Sequence, residues 1–190
     1  MEPIDARRPV DAARIYLRML DWPIALGHRH RPRAGCTCGN VKCPTPGAHP
    51  LPGPFTPIPA DSIEATLETA PGAGLIAPCA AFDALVMPRW LGLATMVPLD
   101  RVSPVPFIDC GTYCALLVLP STGRYALGER PPTVVKLRTS PQQWVALPPT
   151  HGTRWDPPPW QEQTGARLPL LHGGDVGRHL HAALNHVGAL

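Results

Sequence analysis

The chain has 190 residues, 44% of them hydrophobic, which suits one domain with a real core. Only 16% are charged and the net charge is +3, which excludes the strongly basic balance that by itself marks a nucleic-acid protein. The 27 prolines, about three times average usage, are spread along the chain and predict extended loops and short strands rather than one disordered tail. No basic start followed by an apolar run appears in the first thirty residues, and no apolar run approaches the eighteen or so residues of a membrane span. The expectation is a soluble cytoplasmic protein with its cysteines reduced or on metal.

Arg8-Pro9 leads into a first helix expected from Asp11 to Asp21, capped by Asp11, with Ala13, Tyr16, Leu17 and Leu20 at helical spacing. Trp22 to Leu26 ends that helix and reads as a short strand. Gly27 to Arg33, GHRHRPR, is the one dense basic run. Its plain reading is a solvated loop. Its sharper reading is a phosphate-contacting arm made of Arg29, Arg31 and Arg33, since guanidinium groups donate to phosphate oxygens.

The stretch that follows, Gly35 to Pro50, reads GCTCGNVKCPTPGAHP. It places Cys36, Cys38 and Cys43 within eight residues, with His49 six residues further on. Three thiols and an imidazole are the ligand set of a closed structural zinc site, because Zn²⁺ takes four N and S donors tetrahedrally. The intervening Gly, Asn, Pro and Thr bend a chain but build no core, so a bound metal would supply the folding energy. The alternatives are a disulfide or four unconnected residues, and two cysteines only two apart close a strained ring. His28 and His30 are alternative fourth ligands to His49.

Leu51 to Pro59 is a proline-rich connector. Asp61 to Glu64 has capping-box spacing, and Ile63, Leu67 and Ala70 give the next helix an apolar face that Pro71-Gly72 stops. Strands are expected over 74–78 and 82–87, then a short helix over 91–96. Tyr113 to Pro120 is a nearly continuous apolar run that suits a buried central strand, and Gly123-Arg124 breaks it. Thr133 to Leu137 and Gln143 to Leu147 are further strands, and Thr150 to Trp160 reads as a tryptophan-pinned loop over the sheet. A last helix is expected from Val176 to Val187, capped by Asp175. Val176, Leu180, Ala183, Leu184 and Val187 form its buried stripe, with His179, His181 and His186 mostly on the other side. Cys79, Cys110 and Cys114 read as buried structural thiols.

The order of these features resembles the N-terminal domain of bifunctional DNA primase/polymerases, members of the archaeo-eukaryotic primase superfamily. The resemblance rests on the helix ending in Trp22-Pro23, the CTCGNVKCPTPGAHP segment, the helix ending in Pro71-Gly72, the strand Leu75 to Cys79, and Phe82 to Leu85. It runs from Asp11 to Gly92 and more loosely beyond. That family's chemistry is two-metal phosphoryl transfer, with paired strand acids, a third carboxylate and a strand histidine around two Mg²⁺ or Mn²⁺ ions. Asp83 falls at the first acid. The partner position is Leu85, strands 113–120 and 133–137 hold no histidine, and neither Asp100 nor Asp109 has the spacing of a third ligand. Asp83 is thus a possible remnant, or a strand-end acid bonded to backbone amides.

The expected architecture is a single α+β or α/β domain over residues 1–190, with a mixed, mainly antiparallel sheet, three helices and a zinc-stapled loop over 35–50. The expected function is a primase/polymerase-like domain with a degenerate active site that binds single-stranded DNA or a replication protein. Two alternatives stand beside it. One is an active primase/polymerase with unrecognised acids and Mg²⁺ or Mn²⁺. The other is a zinc-stabilised regulatory or scaffold protein using the zinc loop and Trp155-Asp156-Pro157 as contact surface.

Overall fold

The computed structural model describes residues 8–187; the side chain of Val187 lies outside them. The chain enters through α1 (Pro9–Arg14), which continues as one π-helical stretch, Ile15–Met19. Proline suits the first helical position because its missing N–H would have no partner there. Asp11 is not the cap; it lies in the first turn and pairs with Arg8 and Arg14.

Among the described residues, nine strands form two sheets. The first has the order β2-β1-β3-β8, from β1 (Ala25–Arg31), β2 (Gly35–Cys36), β3 (Ala73–Pro78) and β8 (Trp144–Leu147). The second has the order β7-β4-β6-β5-β9, from β4 (Asp83–Pro88), β5 (Phe107–Asp109), β6 (Tyr113–Val118), β7 (Lys136–Arg138) and β9 (Arg154–Trp155). Every pairing is antiparallel. The α+β class with mainly antiparallel sheets is therefore observed.

Strand alternation builds the layers. Leu75, Ala77, Val145 and Leu147 of the first sheet face Ala84, Val86, Ile108, Ala115 and Leu117 of the second, together with α1 and α2 (Ile63–Thr69). The other face of the second sheet, through Leu85, Met87, Phe107, Leu116 and Val118, carries α3 (Arg89–Leu99), α4 (Gly123–Leu127) and α5 (Gly173–Val187). The outer face of the first sheet is covered by the cysteine loop and the connector after it, where Ala48 and Phe55 pack on Ile76 and Ala146. An aromatic group closes one end of the core. Trp22 sits between Tyr16 and Phe82, and Trp155 Nε1 donates to the Tyr16 hydroxyl at 2.9 Å.

Several local expectations change. The basic run is not a loop: β1 extends through Gly27 to Arg31, because pairing with β3 and then β2 outweighs its polar composition. Asp61 does not cap α2, since Glu64 is drawn instead to Arg14 of α1. Among the described residues five α-helices form rather than three. β6 ends at Val118, ahead of Gly123-Arg124, which starts α4 rather than breaking the strand, while α3 runs on to Leu99. Asp175 lies within the first turn of α5 rather than capping it. In α5, Val176, Leu180, Ala183 and Leu184 are buried, whereas His179 and His181 are half-buried and His186 is exposed.

This face assignment sets two unequal substitutions. Leu180→Ala is expected to cost about 2–5 kcal/mol through the cavity it leaves. His179→Ala is expected to stay within about 0.5 kcal/mol. Denaturant unfolding of both variants measures the difference, and a larger loss at His179 would reverse the assigned face.

Candidate metal centre

The hairpin β1–β2 delivers the first ligand. His30 pairs with Cys36 across it, so the Cys36 side chain is fixed by the sheet rather than by the loop. Two tight turns then return the chain. Gly39 N–H donates to the Cys36 carbonyl at 3.1 Å, and Cys43 N–H to the Asn40 carbonyl at 3.1 Å. The Asn40 side chain accepts from Lys42 N–H at 2.9 Å, the self-bonding that favours asparagine in turns.

The loop ends by docking on β1: His28 N–H donates to the His49 carbonyl at 2.9 Å. Two glycines permit this approach. A Cβ on Gly27 would lie 2.6 Å from the His49 carbonyl oxygen, and one on Gly47, whose φ is +77°, would lie 2.8 Å from His30 N. Any L side chain at Gly47 would combine that overlap with a left-handed backbone.

The result is one cluster. Donor atoms of Cys36, Cys38, Cys43 and His49 all lie within 4.8 Å of one another. His49 Nε2 stands 3.2 Å from Cys36 Sγ and 3.5 Å from Cys43 Sγ. Bonds of about 2.3 Å to sulfur and 2.0 Å to nitrogen in a tetrahedron give an S···N edge of about 3.5 Å, so the donor set fits a tetrahedral ion. Among the described residues this is the one group of three or more Cys, His, Asp or Glu side chains placed to hold a metal.

Surrounding groups prepare the thiolates. Burial alone would raise the Cys36 thiol, but N–H groups of Cys38 and Gly47, with His49, bring it down to about 6. The Gly47 amide lies 3.3 Å from that sulfur. Burial raises the Cys43 thiol, and the other sulfurs add to the rise. Like charges this close ionise together only with a cation among them, which is what a metal supplies.

The alternative fourth ligands stand elsewhere. His28 packs against His49 at 4.4 Å between ring centroids and bonds Thr37 Oγ1 through Nδ1 at 3.0 Å. Burial, then the neighbouring His49, lowers its pKa below the ordinary value. His30 stacks on His151 at 4.0 Å. Thr37 also accepts from Arg29 N–H at 3.1 Å, tying the link between two ligands to β1. Neither Thr37 nor the glycines was singled out in the sequence. The signal is a hydroxyl between two close cysteines, a Gly in β1 and a Gly just before His49.

The basic residues are divided. Arg29 and Arg31, two apart on β1, line a groove of about 510 Å³ with Leu51 and Thr69, and no carboxylate lines it. Arg33 stands apart, exposed at the hairpin tip.

The acids are also separated. Asp83 is 2% exposed and accepts from Gly123 N–H at 2.7 Å, beside Leu137 and the start of α4. Its neighbour two residues on, Leu85, lies in the core. Asp109 lies level with Met87 through Cys114, which places it about 13 Å along the strands from Asp83. Arg89 Nε and Arg154 Nη2 donate to Asp109 Oδ2 at 3.0 and 2.7 Å, and Gly111 N–H to Oδ1 at 2.9 Å. Burial would raise the Asp109 carboxyl, but that amide and the two guanidiniums hold it below the ordinary aspartate value.

Of the remaining thiols, Cys79 and Cys114 are buried and Cys110 is half-buried. Burial pushes Cys79 and Cys114 up to about 12 and Cys110 up to about 11. Trp155, half-buried, and Trp160, buried, both pack against Tyr16, while Asp156 is exposed. No helix among the described residues is long and apolar enough to cross a membrane. Compared with known proteins, the chain matches no family model, no curated protein and no solved structure.

The ligand set can be tested by metal content after dialysis. Cys43→Ser is expected to lose the ion, while His28→Ala is expected to retain it with lower affinity, since an outer partner of a ligand typically tunes binding by about 10–100-fold. Retention in Cys43→Ser with loss in His28→Ala would reassign the ligands.

Proposed function

We propose that Cys36, Cys38, Cys43 and His49 hold one structural zinc ion, and that the chain is a primase/polymerase-like domain that binds single-stranded nucleic acid without transferring nucleotides. Three thiolates and an imidazole suit zinc, a borderline-soft ion without geometric demands of its own. The observation that carries the binding half is the groove beside the metal loop. Arg29 and Arg31 enter it from one strand, no acid lines it, and the hairpin bearing them is anchored by Cys36. Arginines held this way suit contact with phosphate oxygens.

The likeness to primase/polymerases is supported by the order of Trp22-Pro23, the cysteine segment, Pro71-Gly72 and Phe82 to Leu85. The proposed loss of transfer is supported by what Asp83 and Asp109 already do. One carboxylate is bonded to a helix start beside Leu85, and the other is held by two arginines. Two-metal chemistry needs carboxylates converging on ions about 4 Å apart, whether Mg²⁺ or Mn²⁺. A protein partner in replication would use the same basic face through acidic side chains.

Binding to oligothymidylate at several salt concentrations tests the reading. Affinity is expected to fall as salt rises, and Arg31→Ala is expected to weaken binding and reduce the log–log salt slope by about 0.7. No primer synthesis is expected with either ion. Absent binding, or an Arg31→Ala slope equal to that of the wild type, would remove the groove from the account. Template-dependent incorporation abolished in Asp83→Ala would restore the enzyme reading.

A further inference from the structure

We propose that the cleft between the start of α3 and the β9 edge binds a phosphate dianion, gripped by Arg89 and Arg154 as a pair. The cleft has a volume of about 500 Å³ and is lined by Arg89, Asp109, Gly111, Gly152, Thr153 and Arg154. It is separate from the Arg29/Arg31 groove, and stands whether or not that groove takes nucleic acid.

Asp109 is what makes the pair a site. The carboxylate is 4% exposed, and its Oδ2 accepts from both guanidiniums. Arg89 donates only through Nε, and Arg154 through Nε and one terminal nitrogen. Both terminal nitrogens of Arg89 and one of Arg154 therefore have no acceptor among the described residues. A guanidinium fixed along one edge presents its remaining N–H groups in a rigid fork that matches phosphate oxygens. Because folding has already ordered both side chains, a ligand would not bear that entropy cost.

Charge and space agree. Two cations face one anion in the lining, and no second carboxylate reduces the surplus. A Cβ built on Gly111 or Gly152 meets nothing within 4 Å, so the floor is open. Gly152 and Thr153 also wall a smaller cavity of about 130 Å³ whose far side is the metal loop at Pro44 to Ala48. The phosphate site therefore lies next to the metal loop, the two cavities sharing Gly152 and Thr153 as lining. A free nucleotide and the 5′ end of a nucleic acid share this chemistry.

Titration calorimetry on the whole chain tests the site, with inorganic phosphate, thymidine, thymidine monophosphate, and oligothymidylate with or without a 5′-phosphate as probes. Thymidine monophosphate should bind and thymidine should not. Arg89→Gln and Arg154→Gln should each weaken the nucleotide by about tenfold or more, as expected for a lost charge-assisted hydrogen bond. Arg154→Lys should recover only part of the loss. A 5′-phosphate effect that depends on Arg154 identifies the chain end as the source, and a gain confined to the mononucleotide identifies the free nucleotide. Amide shifts in the wild type, which needs no variant to fold, should fall on Gly111, Gly152 and Thr153 when inorganic phosphate is added. Equal binding of thymidine and its monophosphate, unchanged affinity in both glutamine variants, or amide shifts confined to other regions would overturn the proposal.

Discussion

Three sulfur atoms and one imidazole nitrogen within 4.8 Å of one another are the constraint around which one edge of this protein is arranged. Without a cation, ionised thiols at that distance repel; with one, four bonds close a loop whose own residues supply little apolar burial. The loop is also a lid. It places Ala48 on Ile76 and Ala146, and with Phe55 of the connector covers the outer face of the first sheet. Its return to β1 requires that no side chain stand at Gly27 or Gly47. A metal held by this cluster would therefore join loop closure to protection of the sheet.

The second sheet depends on a different economy of polar groups. Each buried carboxylate is matched by donors from an element far away in sequence. Asp83 holds the first turn of α4 through Gly123, and Asp109 joins α3 to β9 through Arg89 and Arg154. A buried acid paired in this way fixes the relative position of the groups that hold it. In Asp109 the fixed groups are arginines with nitrogens to spare, so an anchor of the fold also orders a cationic surface.

Part of this was legible from the residues. The three cysteines were readable as one group because they fall in one short segment, where spacing alone limits geometry. The stripe of α5 was readable because its apolar residues recur at the helical period, and β3, β4 and β6 because short apolar runs bounded by turn residues mark strands buried on both faces. What was not legible is long-range. The strand character of His28 to Arg31 comes from pairing with β3 and β2, not from its own polar sequence. Glu64 fits a capping box until Arg14, fifty residues earlier, competes for it. Asp109 and Arg154 are 45 residues apart, and Tyr16 and Trp155 are 139 apart, so no local pattern announces either pair. The choice of His49 over His28 was also undecidable from spacing; it follows from His28 N–H being bonded to the His49 carbonyl, which turns the loop so that the His49 ring meets the sulfurs.

The central claim is that metal binding here is folding energy. Its most direct test is the melting temperature of the purified chain before and after chelation, and again after one equivalent of Zn²⁺ is returned. In a chain of this size each 1 kcal/mol corresponds to roughly 2–4 °C, so a structural ion predicts a fall of several degrees on chelation and recovery with zinc. Metal-free protein that melts at the temperature of the native form would contradict it.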